Sequence, residues 1–217
     1  MSTFYSGPEG ARLRGDGLGR CSFILIRTIC AAPCHAKGMQ PAKTTEVIFI
    51  SGRSGVGKTS VAAELSRLFA IEDIVHALIE GDNLDQAHPE PWRDGIDLAE
   101  QNLAAMWRNY RAAGYSRLIF TNTVSVLEMP SLSAALGADV SAIGALLTAN
   151  DSTAADRLAQ REIGSGLEDA IKRSKAAAAK LQLNASSAVH RISTDRREVC
   201  AIATEVKAIS GWGGAEQ

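Results

Sequence analysis

The chain has 217 residues, 46% of them apolar, with 23 Lys+Arg against 24 Asp+Glu. That length and apolar fraction suit the core of one α/β domain rather than two. A formal net charge of −1 provides no overall positive field to draw nucleic acid or an anionic membrane, so the expected partner is a small molecule.

Residues 1–44 read as a disordered extension. Gly, Arg and Ser are scattered through the first 38 residues around one apolar run, Ser22 to Ala32, interrupted by Arg27. The run is too short to span a bilayer. Met39 is an alternative start that leaves only a few residues before the first strand. The domain proper is expected over 45–212, with a disordered tail at 213–217.

The first predicted strand, Val47–Ser51, is apolar and β-branched, and Gly52-Arg53-Ser54-Gly55-Val56-Gly57-Lys58-Thr59 follows it directly. This matches the phosphate-binding pattern G-x-x-x-x-G-K-[ST], in the strand-to-helix setting that the pattern requires. A triphosphate needs several donors converging on its oxygens, and a glycine-rich turn lets backbone N–H groups curl inward around them. The helix predicted over Lys58–Ala70 aims its positive end at the phosphates. Nucleotide contacts are therefore expected from Gly52, Ser54, Gly55, Val56, Gly57, Lys58, Thr59 and Ser60. Lys58 supplies charge to the β and γ groups, and the Thr59 hydroxyl is a ligand for Mg²⁺.

A second strand, His76–Glu80, ends in Glu80-Gly-Asp-Asn-Leu-Asp-Gln-Ala-His-Pro89. In an open parallel sheet, ligands sit outside the carboxyl ends of the strands, which brings this block to the same crevice as the phosphate loop. Glu80 and Asp82 leave the strand two apart and share one side of it. Asp82 is the preferred catalytic base or metal partner, because Gly81 beside it opens space for a substrate; Glu80 is the alternative metal support. Asp85 reads as solvated surface. His88 and Trp92, in a Pro-flanked loop, read as loop-stabilising first and as acceptor contacts second.

The helix Leu98–Ala113 carries an apolar face of Ile96, Ala99, Leu103, Met106, Trp107 and Tyr110, so Trp107 is read as core rather than as a ligand stacker. After the terminator Gly114 come a strand at Arg117–Thr121, a helix at Val126–Leu136 and a strand at Ser141–Thr148. Asn122 and Thr123 face the crevice and are candidate acceptor contacts. Helices follow at Thr153–Ile163 and Leu167–Leu183. Arg157 and Arg161, four apart and so on one helical face, are read as lid arginines over the transferring phosphoryl group, against a solvated helix edge as the alternative. Gly164 and Gly166 give such a lid its hinge, and Arg173 is a weaker third arginine. A last strand, Val189–Ser193, precedes the helix Arg197–Ile209; Thr194 and Asp195 fall where a parallel sheet places the adenine-side loop, and are read first as caps of that helix. Strand and helix alternate throughout, the pattern of a parallel sheet covered on both faces.

Gly52–Thr59 followed by strand-end Gly81-Asp82-Asn83 resembles the small P-loop phosphotransferases, among them adenylylsulfate kinase, gluconate kinase and chloramphenicol phosphotransferase. The wording Ser51–Ser60, Glu80–Pro89 and Arg161–Gly166 looks closest to AAA-labelled ATP-binding proteins of actinobacteria. The resemblance covers about Glu46 to Trp212. It implies a three-layer α/β/α P-loop NTPase fold with a five-stranded parallel sheet and a helical lid, and ATP-dependent phosphoryl transfer with Asp82 on the acceptor side. Two departures matter. The strand Arg117–Thr121 ends without a Walker B carboxylate, so the metal-supporting acid falls to Glu80 or Asp82. Nothing resembles the guanine-reading Asn-Lys-x-Asp, so ATP is the expected nucleotide.

The expectation is therefore a Mg²⁺- and ATP-dependent kinase acting on a hydroxyl of a small molecule, with an ATP-hydrolysing regulatory NTPase as the alternative. A homo-oligomer is compatible with the sequence. Cys21, Cys30, Cys34 and Cys200 form no disulfide framework, which fits a reducing cytoplasm. Cys30, Cys34 and His35 lack a fourth zinc ligand at sensible spacing. The arginines before Ser22 and the small residues after it also fit a secretory signal, but export would part an ATP-using enzyme from its ATP.

Overall fold

The computed structural model describes residues 43–161 and 166–213, apart from the side chain of Trp92. The expected extension up to residue 42, with Met39 and three of the cysteines, lies outside the described residues, as do Gly164 and residues 214–217. The chain runs β1 (Thr45–Ser51), α1 (Lys58–Ile71), β2 (Ala77–Glu80), α2 (Leu98–Ala112), β3 (Arg117–Thr121), α3 (Met129–Leu136), β4 (Val140–Thr148), α4 (Asp151–Ala159), α5 (Leu167–Asn184), β5 (His190–Ser193) and α6 (Val199–Ser210). Short 3₁₀ turns at Gly81–Asn83 and Pro91–Asp94 lie between β2 and α2. Among the described residues no helix is long and apolar enough to cross a membrane.

The five strands form one parallel sheet in the order β2-β3-β1-β4-β5. Successive side chains of a strand point to opposite faces, and each face is covered. Ile48 and Ile50 of β1, Ile119 of β3, Leu147 of β4 and Ile192 of β5 pack under Val61, Leu65 and Phe69 of α1 and Ile202 and Val206 of α6. On the opposite face Val47, Phe49, Ile79, Leu118 and Phe120 meet Leu103 and Trp107 of α2 and Leu132 and Leu136 of α3. A smaller cluster of Val126, Leu146, Leu181 and Val189 seats α5 on that same face. This is the three-layer α/β/α arrangement with five parallel strands expected from the alternation of elements.

Three details differ from expectation. Of the apolar stripe on α2, Leu103 and Trp107 are buried, but Ile96 and Met106 are 49% and 37% exposed. Ile96 precedes α2, which begins at Leu98, and Ala99 and Tyr110 join Leu103 and Trp107 against the core while Met106 lies at the edge of that face. Helix α3 starts at Met129 rather than Val126, with Pro130 in its first turn, where a missing N–H costs no bond. Val126 instead drops into the α5 cluster. Helix α4 ends at Ala159, and Ile163, where it was expected to end, lies outside the described residues.

The topology positions the site. Strand β1 lies between β3 and β4, so the chain departs to one side of β1 and later returns to the other. The loop after β1 emerges at that reversal, where the crevice of an open sheet forms.

Trp107 anchors α2. Its ring is 2% exposed, and Nε1 donates to Thr45 Oγ1 at 3.2 Å. Trp107→Ala should lower unfolding free energy by about 3–5 kcal/mol, read from the denaturant midpoint at constant slope. A loss below about 1 kcal/mol would show that α2 is held elsewhere.

Candidate functional site

Two glycines of the loop after β1 are demanded by what surrounds them. Gly52 has φ +147 and a Cβ there would stand 2.6 Å from the Leu147 carbonyl oxygen; Gly55 has φ +83 and its Cβ would stand 2.6 Å from the Ala154 carbonyl oxygen. Any side chain would drive the loop off β4 or α4. The loop's start is tied to the end of β3, with Gly52 N–H and the Ser51 hydroxyl both donating to the Thr123 carbonyl, at 3.2 and 2.7 Å. Gly57 precedes α1 in the left-handed conformation, and no side chain caps the helix. Among the described residues, the N–H groups of Ser54, Gly55, Gly57, Lys58, Thr59 and Ser60 have no backbone partner. A row of free donors at a helix N-terminus is an arrangement that can receive an oxyanion.

The pocket in front of those donors is lined by Ser54, Gly55, Gly57, Lys58, Thr59, Ser60, Asp82, Leu158 and Arg161. Lys58 is 8% exposed, and its ammonium donates to Thr123 Oγ1 at 3.4 Å. Burial lowers its pKa, opposed by the attraction of Asp82 and then Glu80, while Arg161 adds to the lowering. The ammonium thus sits in a desolvated position, in the attraction of two carboxylates and in the same pocket as the open donors. Glu80 Oε2 accepts from Thr121 Oγ1 at 3.2 Å and from Thr59 Oγ1 at 3.4 Å. Two hydroxyls and a carboxylate therefore meet beside the loop. Thr121 at the end of β3 had not been singled out, since a threonine ending an apolar strand is an ordinary strand residue.

Asp82 lines the same pocket and is exposed. Gly81 beside it does not open space for a substrate, contrary to expectation. Gly81 is buried, and a Cβ on it would stand 2.5 Å from Phe120 Cζ and 2.8 Å from the Thr121 carbonyl oxygen. The room at Gly81 is taken by β3 and not by a substrate.

The two arginines of α4 part company. Arg157 is held by the fold: Nη1 donates to the Val56 carbonyl at 3.2 Å and to Thr194 Oγ1 at 3.0 Å, and Nη2 donates to the Thr194 carbonyl at 3.1 Å. Arg161, just past the end of α4, is exposed and lines the pocket with Lys58. Gly166 is the residue that precedes α5, and Arg173 is exposed with no hydrogen bond among the described residues.

Other candidates are occupied or distant from the pocket lining. Asn122 Oδ1 accepts from its own turn at Val124 N–H, 2.9 Å, while Thr123 faces Lys58. His88 is exposed in its loop, and the Trp92 side chain lies outside the described residues. Asp195 does not cap α6. Its carboxylate accepts from Asn150 N–H at 3.1 and 3.0 Å, linking the loops after β4 and β5, and Glu198 precedes α6 without a side-chain bond. Thr194 is buried against Arg157. Arg53 and Ser174, which the sequence reading passed over, are buried and hydrogen-bonded to each other.

No family model matches the chain, and no curated protein matches it. Solved structures do. A gluconokinase from Sinorhizobium meliloti 1021 aligns over 77% of this chain and 92% of its own, with 19% identity and a TM-score of 0.50. The tunicamycin resistance protein of Deinococcus radiodurans aligns over 77% and 96%, with 18% identity and a TM-score of 0.53. A shikimate kinase from Acinetobacter baumannii aligns over 77% and 93%, with 12% identity and a TM-score of 0.50. The three-layer fold that carries this loop is the fold of the small P-loop kinases, as the motifs around Lys58 and Asp82 implied.

Proposed function

We propose that this protein is a cytoplasmic phosphotransferase that moves the γ-phosphoryl group of ATP to a hydroxyl of a small molecule, with Mg²⁺. The observation that carries the reading is the set of unpartnered loop N–H groups around a pocket lined by a buried Lys58 and the carboxylate of Asp82, with Glu80 receiving the Thr59 hydroxyl beside it. Such a pocket holds a polyanion and has a base within reach of an acceptor.

The roles follow from the chemistry of each group. The loop amides and Lys58 grip the β and γ phosphates, where fixed donors in a desolvated site stabilise charge at no reorganisation cost. The hydroxyl of Thr59 with the carboxylates of Glu80 and Asp82 is a set of hard oxygen donors, which suits Mg²⁺. Mg²⁺, when bound, neutralises charge on the phosphate oxygens. Glu80, already receiving two hydroxyls, belongs to the metal side. Asp82, exposed at the pocket edge, orients the acceptor hydroxyl and takes its proton as the oxygen becomes the nucleophile. Arg161 closes over the transferring group, where its planar donors match the equatorial oxygens. Arg157 holds α4 against the loop and so sets where Arg161 starts from.

Lys58→Ala should lose on the order of 10²-fold or more in kcat, measured as ATP-to-ADP conversion across a panel of hydroxylated metabolites. Unchanged turnover would sink the assignment. ADP formed at one rate in every well would replace transfer by plain hydrolysis.

The two carboxylates should also separate. Glu80→Gln should raise the Mg²⁺ concentration for half-maximal rate by about tenfold, whereas Asp82→Asn should lower kcat about 10²-fold or more at saturating Mg²⁺. If both variants move the same parameter, this division of labour is wrong.

A further inference from the structure

Arg53, the second residue of the phosphate loop, is 4% exposed, and its side chain points away from the phosphate pocket. It lines instead a cleft of about 470 Å³ between the end of β4 and α5. Its Nε donates to Ser174 Oγ at 2.8 Å, and Nη1 pairs with Asp151 at the start of α4. Ser174, in the middle of α5, is 1% exposed, and its hydroxyl donates in turn to the Ser54 carbonyl at 2.8 Å. The side chain of Arg53, the hydroxyl of Ser174 and the backbone at Ser54 therefore close a ring between the loop and α5.

The direction of that last bond has a consequence at the phosphates. In a planar trans peptide the carbonyl oxygen and the amide hydrogen point to opposite sides. With the Ser54 carbonyl drawn toward Ser174, the N–H of Gly55 on the same peptide turns the other way. Gly55 lines the phosphate pocket, and its N–H has no backbone partner among the described residues. Arg53 holds the Ser174 hydroxyl so that its one proton goes forward to the carbonyl, because the arginine can only donate.

We infer that Arg53 and Ser174 are positioning residues that aim the Gly55 amide at the nucleotide, making phosphate affinity depend on the seating of α5. Neither side chain lines the phosphate pocket, so both act through the loop backbone. This rests on the reading above that the loop binds a triphosphate. It goes beyond it by linking the loop to α5: a displaced α5 releases the Ser54 carbonyl, and the peptide is then free to rotate.

The test is calorimetric titration of the full chain with the non-hydrolysable ATP analogue AMP-PNP and Mg²⁺, together with adenosine binding followed by saturation-transfer NMR. Ser174→Ala should weaken AMP-PNP about tenfold and leave adenosine affinity within about twofold, since adenosine has no phosphate to lose. Ser174→Thr, which keeps the hydroxyl, should restore most of the AMP-PNP affinity. Arg53→Lys should show the same phosphate-selective loss, and it serves as the second variant if Ser174→Ala does not fold. A purely structural role predicts a lower melting temperature with both affinities intact, or an equal loss of both ligands, and either result overturns the inference. AMP-PNP affinity at the wild-type level in Ser174→Ala overturns it alone. Wild-type protein that binds no AMP-PNP overturns the proposed function and this inference with it.

Discussion

A turn that leaves a run of backbone N–H groups without partners is unstable unless other contacts hold it open, since each orphan donor needs a hydrogen-bond acceptor or water. Here the opposing contacts are carbonyl oxygens. The Leu147 carbonyl presses on Gly52 and the Ala154 carbonyl on Gly55, the Thr123 carbonyl receives Gly52 and Ser51, and Arg157 ties the Val56 carbonyl to Thr194. The loop is thus gripped on its outer side by β4, α4 and the end of β3. Its donors are left without a backbone acceptor among the described residues, around the pocket that Asp82, Leu158 and Arg161 also line.

That grip explains the placement of charge. Lys58 is buried at a cost in desolvation, and the chain offsets it with carboxylates that are not paired to it as salt bridges. Glu80 is held by two hydroxyls and Asp82 stays exposed. A direct Lys–carboxylate pair would leave neither group free for an incoming ligand. The same economy separates the α4 arginines: one is consumed in holding the loop, and the other is left exposed at the pocket. Residues four apart on a helix share a face, but α4 ends between them at Ala159, so equal spacing did not give equal roles.

The elements themselves were legible because their causes are local. Short apolar, β-branched runs placed all five strands within a residue or two of where they lie, and helical spacing of apolar residues placed the helices. Misplacements occurred where a neighbour overrode the local signal. Val126 was assigned to a helix and instead fills a hydrophobic cluster under α5. Ile96 and Met106 have the helical spacing of core residues but stay exposed, Ile96 because α2 begins only at Leu98. Asp195 has the chemistry of a cap yet is taken by a backbone amide 45 residues away. Gly81 was read as space for a substrate, and the ring of Phe120 occupies that space.

The amino-acid order alone determined the glycine-rich loop, the strand before it, the helix after it and the acidic turn at Glu80–Asp82, because each depends on residues within a few positions of one another. It also determined the layered α/β class, through the alternation of two periodicities. Only the tertiary structure decided which carboxylate receives the Thr59 hydroxyl, which of Arg157 and Arg161 stays at the pocket, and that Arg53 reaches Ser174 across 121 residues. Those choices are set by the order of strands in the sheet, which brings α4, α5 and the end of β3 around one loop. No local pattern encodes a contact that exists only once the sheet has closed.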